Sequence, residues 1–132
     1  MLQVSDNGRF LAQTDGAPFF YLGDTAWAML QRLDRDETER YLKDRAQREF
    51  TVVQTVAVSE FDGLSVPNAK GDLPFVDRDP ATPNEVYFRH VDSVVERAAA
   101  LGLYVALLPN WADKVGPRLR GTAEPVLTVA NA

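Results

Sequence analysis

Phe19-Phe20-Tyr21-Leu22-Gly23-Asp24-Thr25-Ala26-Trp27 is the stretch on which the fold is read. Four apolar residues in a row follow the turn formers Asp15, Gly16 and Pro18 and are broken by Gly23, which predicts a short strand buried on both faces. Polar residues arrive where that strand ends. In parallel α/β sheets ligands sit at the carboxyl ends of the strands, so Asp24 and Trp27 stand where binding or chemistry is expected. The alternative is purely structural: Asp before a helical turn is a common cap, and a Trp can fill core.

Working outward, the same arrangement recurs twice. Thr51-Val52-Val53-Gln54-Thr55-Val56-Ala57-Val58 is β-branched almost throughout and ends in Ser59, Glu60, Phe61, Asp62 and Gly63. Leu103-Tyr104-Val105-Ala106-Leu107-Leu108-Pro109 is a third buried strand, ending in Asn110, Trp111 and Asp113. Helical segments separate the three. Ala28-Met29-Leu30 is helical in composition, and Asp34 with Glu37 has the form of a capping box that opens a helix over about 35–48. A second helix runs from a cap near Asn84 to Gly102, with Tyr87, Val91, Val94, Val95, Ala98 and Leu101 on one stripe. His90 lies beside that stripe and reads as structural or solvated.

Two further regions complete the outline. Asn7-Gly8 between Leu2, Val4 and Phe10, Leu11 predicts an N-terminal hairpin with a type I′ turn. Residues 62–84 are dense in Gly, Pro, Asn and Asp without periodicity, which predicts a long loop. Loops of this length are usually functional or disordered, and Leu64, Val66, Leu73 and Phe75 give this one something to bury, favouring a substrate-lining role.

The order is therefore hairpin, β, α, β, α, β in one domain spanning 1–132, an α/β class with parallel strands joined by right-handed crossovers. Each strand end pairs an acid or amide with an aromatic: Asp24 with Trp27, Glu60 with Phe61, Asn110 and Asp113 with Trp111. Parallel strands would bring all three to one face. Such a face suits a carbohydrate, because a sugar's C–H surface packs on an indole while its hydroxyls need paired hydrogen bonds. The competing reading makes Trp27 and Trp111 core or interface residues.

Composition narrows the classes. A net charge of -5 with no basic cluster argues against nucleic acid and anionic membrane as partners. The absence of cysteine removes disulfides, thiolate catalysis and thiolate metal sites, and one histidine excludes a multi-histidine metal site unless carboxylates supply the ligands; no metal or cofactor is expected. No segment approaches the roughly 18 apolar residues of a membrane helix. The N-terminus has no basic, apolar signal-like pattern, so the expectation is a soluble chain, cytoplasmic by default.

Several motifs, in order, resemble a known family. They are Pro18 to Trp27, Tyr41-Leu42-Lys43-Asp44-Arg45, Phe50-Thr51-Val52-Val53-Gln54, Asp62-Gly63-Leu64, Pro67-Asn68, Gly71-Asp72-Leu73-Pro74 and Leu101-Gly102-Leu103-Tyr104. Together they resemble the apiosidase-like glycoside hydrolases over nearly the whole chain, to about Asp113. The resemblance implies the N-terminal part of a (β/α)8 barrel, its first three β/α units, acting on side chains of plant-type polysaccharides. Carried onto this sequence it implies Asp24, Trp27, Glu60, Asn68, Asp72, Asn110, Trp111 and Asp113 as substrate-lining positions.

A barrel of this kind needs about 250 residues, and the family's catalytic carboxylates are expected on later strands, so no catalytic residue is carried over. Leu127 to Ala132 reads as the start of another helix. Two functional readings follow: a glycoside hydrolase fragment lacking its catalytic pair, or a non-catalytic sugar-binding or self-associating module. The second draws on the apolar edge of Leu103 to Leu108, which invites pairing with another copy.

Overall fold

The computed structural model describes residues 1–60 and 62–111. Asp113, Phe61 and the segment from Leu127 lie outside the described residues. Three parallel strands make the sheet, β3 (Gly23–Thr25), β4 (Val52–Val58) and β5 (Tyr104–Asn110), in that spatial order. An antiparallel pair, β1 (Leu2–Val4) and β2 (Leu11–Gln13), precedes them. The molecule is thus a partial α/β barrel of three β/α units behind an N-terminal hairpin.

The helices begin and end as their local chemistry dictates. A four-residue helix α1 (Met29–Arg32) follows β3, and α2 (Arg35–Gln47) starts on the expected capping box. Asp34 Oδ1 accepts from the Glu37 amide at 2.8 Å and Glu37 Oε2 from the Asp34 amide at 3.0 Å, satisfying two donors that the first turn would leave bare. Asn84 caps α3 (Glu85–Ala100) by accepting from the Val86 amide at 3.0 Å. Gly102, at φ 78°, closes that helix: its amide reaches Ala99 and the Leu103 amide reaches Ala98. The same closure ends α2, but Glu49 stands in the left-handed position at φ 63°.

Met29, Leu30, Leu42, Val53, Tyr87, Val91, Val94, Ala98 and Leu103 form the core between helices and sheet. Leu42 and Val53 are wholly buried, each worth about 1.5–3 kcal/mol of transfer free energy. The Tyr87 hydroxyl donates to the Ala57 carbonyl at 2.6 Å, pinning α3 to β4. His90 lies on this buried stripe rather than beside it, at 4% exposure.

Three local expectations are corrected. Phe19 to Leu22 do not form a doubly buried strand: Phe20 and Tyr21 are 75% and 52% exposed, and the strand begins at Gly23. The Phe19 amide is drawn to the Leu11 carbonyl at 2.8 Å, and Pro18 bridges Ala12, so the start of this segment extends the hairpin. The Phe20 carbonyl accepts from the Thr51 hydroxyl at 2.7 Å, and the Leu22 amide donates to that hydroxyl at 2.9 Å. The hairpin turn is also wider than type I′. Asn7 Oδ1 accepts from the Arg9 amide at 3.1 Å, and only Gly8 in that turn has positive φ. The long loop, finally, is less irregular than its composition predicts. Its second half folds on itself through the Phe75–Pro83 bridge and a one-turn 3-10 helix (Val76–Arg78), and Leu64, Asn68 and Pro74 are buried.

Candidate functional site

Register decides which side each strand residue faces. Asp24 pairs with Val53, and Val53 with Val105, so these three side chains share one face of the sheet. Val53 belongs to the core packed by the helices, and that face is therefore the helix side. Asp24 accordingly points at α2, where its Oδ2 accepts from the Tyr41 hydroxyl at 2.8 Å and from Arg45 Nη1 at 2.6 Å. Its Oδ1 accepts from the Thr25 amide at 2.9 Å. The Tyr41 hydrogen bond, with Arg45 and the Thr25 amide, outweighs burial and holds the carboxyl below the usual range. Burial and the Asp24 charge push the Tyr41 phenol well above its usual value.

Arg45 is fixed from every side. Asp44 takes its other guanidinium edge, and the rings of Tyr41 and Phe50 flank it at 5.3 and 5.2 Å. Asp24 thus joins β3 to α2.

The rim of the sheet is made differently. Trp27, two residues past β3, meets Trp111, one past β5, edge to face with ring centroids 4.7 Å apart and planes at 85°. Trp111 remains 41% exposed, so the pair offers an open aromatic surface. Asn110 closes β5 opposite Val58 of β4. Glu60 follows two residues beyond Val58, half-buried, and the carboxyl ends of β3, β4 and β5 thereby carry Trp27, Glu60, Asn110 and Trp111 to one side.

The turn after β4 is drawn tight by Gly63, where a Cβ would stand 2.1 Å from the Ser59 carbonyl oxygen. Only glycine permits this approach. In the loop, Asn68, 5% exposed, accepts from the Lys70 and Asp72 amides at 3.0 and 2.9 Å. The Ala69 amide docks that loop on the Gln31 carbonyl at 2.9 Å.

Gln31, Arg32, Tyr41 and Arg45 were not foreseen as parts of this architecture. The four-residue spacing of Tyr41 and Arg45 places them on one helix face and is a signal for that pair; nothing local marks Gln31. On the helix layer, α2 and α3 enclose a cleft of about 850 Å³ whose lining includes Arg35, Glu39, Lys70, His90 and Arg97. None of the expected substrate positions among the described residues lines it. Among the described residues no cluster of three His, Asp or Glu side chains could hold a metal ion. No described helix is long and apolar enough to cross a membrane.

Comparison with known proteins follows the same lines. The family model "Apiosidase-like, catalytic domain" matches residues 5–132. A crystal structure of a glycoside hydrolase family 5 protein from Bacteroides vulgatus ATCC 8482 is 31% identical, with TM-score 0.69, over 81% of this chain and 23% of its own. A structure described as a glycoside hydrolase is 33% identical, with TM-score 0.71, over 83% of this chain and 25% of its own. A putative glycoside hydrolase from Bacteroides vulgatus ATCC 8482, at 18% identity and TM-score 0.65, shares the fold over 83% of this chain and 24% of its own. No curated protein matches. The chain spans about a quarter of the length of these structures. By the match over residues 5–132, it belongs to the apiosidase-like catalytic-domain family.

Proposed function

We propose that this chain supplies one wall of a carbohydrate-binding cleft in a glycoside hydrolase, with Trp27 and Trp111 as the sugar platform and Glu60 and Asn110 as hydrogen-bonding groups beside it. The single observation that carries the reading is the partly exposed Trp27–Trp111 pair at the carboxyl ends of parallel strands. Asp113, two residues beyond Trp111 in sequence, is proposed as a further hydrogen-bonding group for the sugar. Asp24, Asn68 and Asp72 serve it indirectly, Asp24 through the strand–helix joint and the other two through the shape of the loop.

In the complete barrel, two carboxyl groups hydrolyse an O-glycosidic bond: about 5–5.5 Å apart in a retaining enzyme, about 6.5–9.5 Å in an inverting one. Asp24 is unsuited to that pair, since Tyr41 and Arg45 occupy its carboxylate on the helix side. Glu60 is the carboxylate of the described rim that stands nearest such work, as a hydrogen-bonding partner to the sugar.

Titration of tryptophan fluorescence with xylotetraose and cellotetraose tests the reading. Saturable quenching that disappears in Trp111→Ala supports it; a flat titration for both sugars refutes it. Hydrolysis of aryl glycosides by the same preparation distinguishes an enzyme from a binder.

A second reading, self-association, has its own observation. The far edge of β5 has no strand partner among the described residues, and Leu107 on that strand is 41% exposed. Light scattering after size exclusion separates the two: a defined dimer supports pairing at this edge, and a monodisperse monomer at tens of micromolar removes it.

A further inference from the structure

We propose that Gln31, acting with Arg32 and Asp62, is a positioning residue that sets the Trp27 platform relative to the Glu60 turn; the inference rests on the sugar-cleft reading above. Helix α1, immediately after Trp27, has four residues, and its N-cap Ala28 makes no side-chain capping bond. One helical turn does not hold itself, because nucleation fixes several dihedrals for a single hydrogen bond. Its place must come from tertiary contacts.

Those contacts converge on Gln31. The side chain is 4% exposed, and its Nε2 donates to Asp62 Oδ1 at 3.4 Å and to the Val66 carbonyl at 3.2 Å. Its own carbonyl accepts from the Ala69 amide at 2.9 Å. Arg32 adds an ion pair to the second oxygen of Asp62 at 3.1 Å. The Asp62 carbonyl in turn accepts from the Ser65 and Val66 amides, both at 2.8 Å, closing the turn that follows Glu60. One clamp therefore holds the segment bearing Trp27 and the turn bearing Glu60.

The amide orientation is determined by its surroundings. Turned over, Oε1 would face the Asp62 carboxylate and the Val66 carbonyl, two acceptors. As placed, Oε1 is buried without a partner, a cost the clamp carries in order to keep both donors engaged. Gly63 lets the backbone of this turn close onto Ser59, bringing Glu60 and Asp62 into one tight turn.

The test reads the Trp27–Trp111 pair directly, as its exciton couplet in circular dichroism, alongside the affinity for xylotetraose. In Gln31→Leu the couplet collapses and xylotetraose binds about five- to tenfold more weakly, the effect of losing roughly one hydrogen bond of positioning. Arg32→Lys, which keeps the charge on Asp62, retains both signals. Leu42→Val lowers the melting temperature by loosening the core yet leaves the couplet intact, separating position from general stability. Asp62→Ala, which removes both acceptor oxygens at a side chain 38% exposed, provides the readout should Gln31→Leu fail to fold. A wild-type couplet in Asp62→Ala and in any folded Gln31→Leu overturns the proposal. If the couplet collapses while the unaltered chain ignores xylotetraose, the clamp stands and the sugar reading falls for that probe.

Discussion

Arg45 Nη1 lies 2.6 Å from Asp24 Oδ2 and ties α2 to the middle of β3. The pair is flanked by Tyr41 and Phe50, so water reaches it from few directions; the Arg45 and Asp24 side chains are 23% and 28% exposed. Its role is to seat the first helix layer on the strand that leads to Trp27. Replacing the acid therefore tests architecture and cleft together.

Asp24→Asn weakens two hydrogen bonds to a carboxylate. Such bonds are worth about 1.5–3 kcal/mol when charged and dry, and partial exposure discounts the loss to about 1 kcal/mol. Urea denaturation at pH 7 checks the size. In the unaltered chain, the lowered Asp24 pKa contributes stability above the usual carboxylate range that is lost as pH falls through the folded value. Glu39, held down to about 2 by Arg97 and then Lys43, adds a loss of the same sign between about pH 4.5 and 2. Asp24→Asn should flatten part of this acid limb; an unchanged limb would assign it to Glu39 and the other carboxylates.

Glu49→Gly should stabilise the chain. Glu49 occupies the left-handed C-terminal position of α2 at φ 63°, is exposed, and makes no side-chain hydrogen bond or ion pair among the described residues that the substitution would sacrifice. Glycine relieves a backbone strain of about 1 kcal/mol there, whereas the usual glycine penalty belongs to helix interiors. A rise in the urea midpoint is the expected result, and a fall would show that the Glu49 side chain contributes more than its backbone costs.

His90 predicts a separate pH effect at milder acidity. Burial, then the nearby Lys70, lowers its pKa from 6.5, with Asp72 and the Leu30 carbonyl opposing. Between about pH 6.5 and the folded value, the unfolded chain takes up a proton that the folded chain refuses, so stability falls as pH falls. One proton limits the slope to about 1.4 kcal/mol per pH unit. Because this is the chain's one histidine, His90→Gln should abolish the loss between pH 7.5 and 5.5 in urea melts. The same loss in the variant would refute the assignment.

The order of strands and helices was legible in the sequence because it is written in signals that act within a few residues. The Asp34–Glu37 box, the Asn84 cap, the Gly102 stop and the β-branched run before Val58 each satisfy backbone groups or bury side chains locally, and the structure has an element at every one. The family resemblance followed from the same ordered motifs, and the match over residues 5–132 agrees with it. The direction of Asp24 was not legible. A strand side chain faces core or rim according to its register against the neighbouring strand, and a slip of one residue reverses the face. Pairing of Asp24 with Val53 sent its carboxylate to Arg45, while the same sheet brought together Trp27 and Trp111, which follow its two outer strands and lie far apart in sequence. Phe19 followed Leu11 into the hairpin for a similar reason, while the Phe20 carbonyl went to the Thr51 hydroxyl: apolar composition sets a tendency to be buried, but which partner takes each backbone group is decided only when distant segments meet.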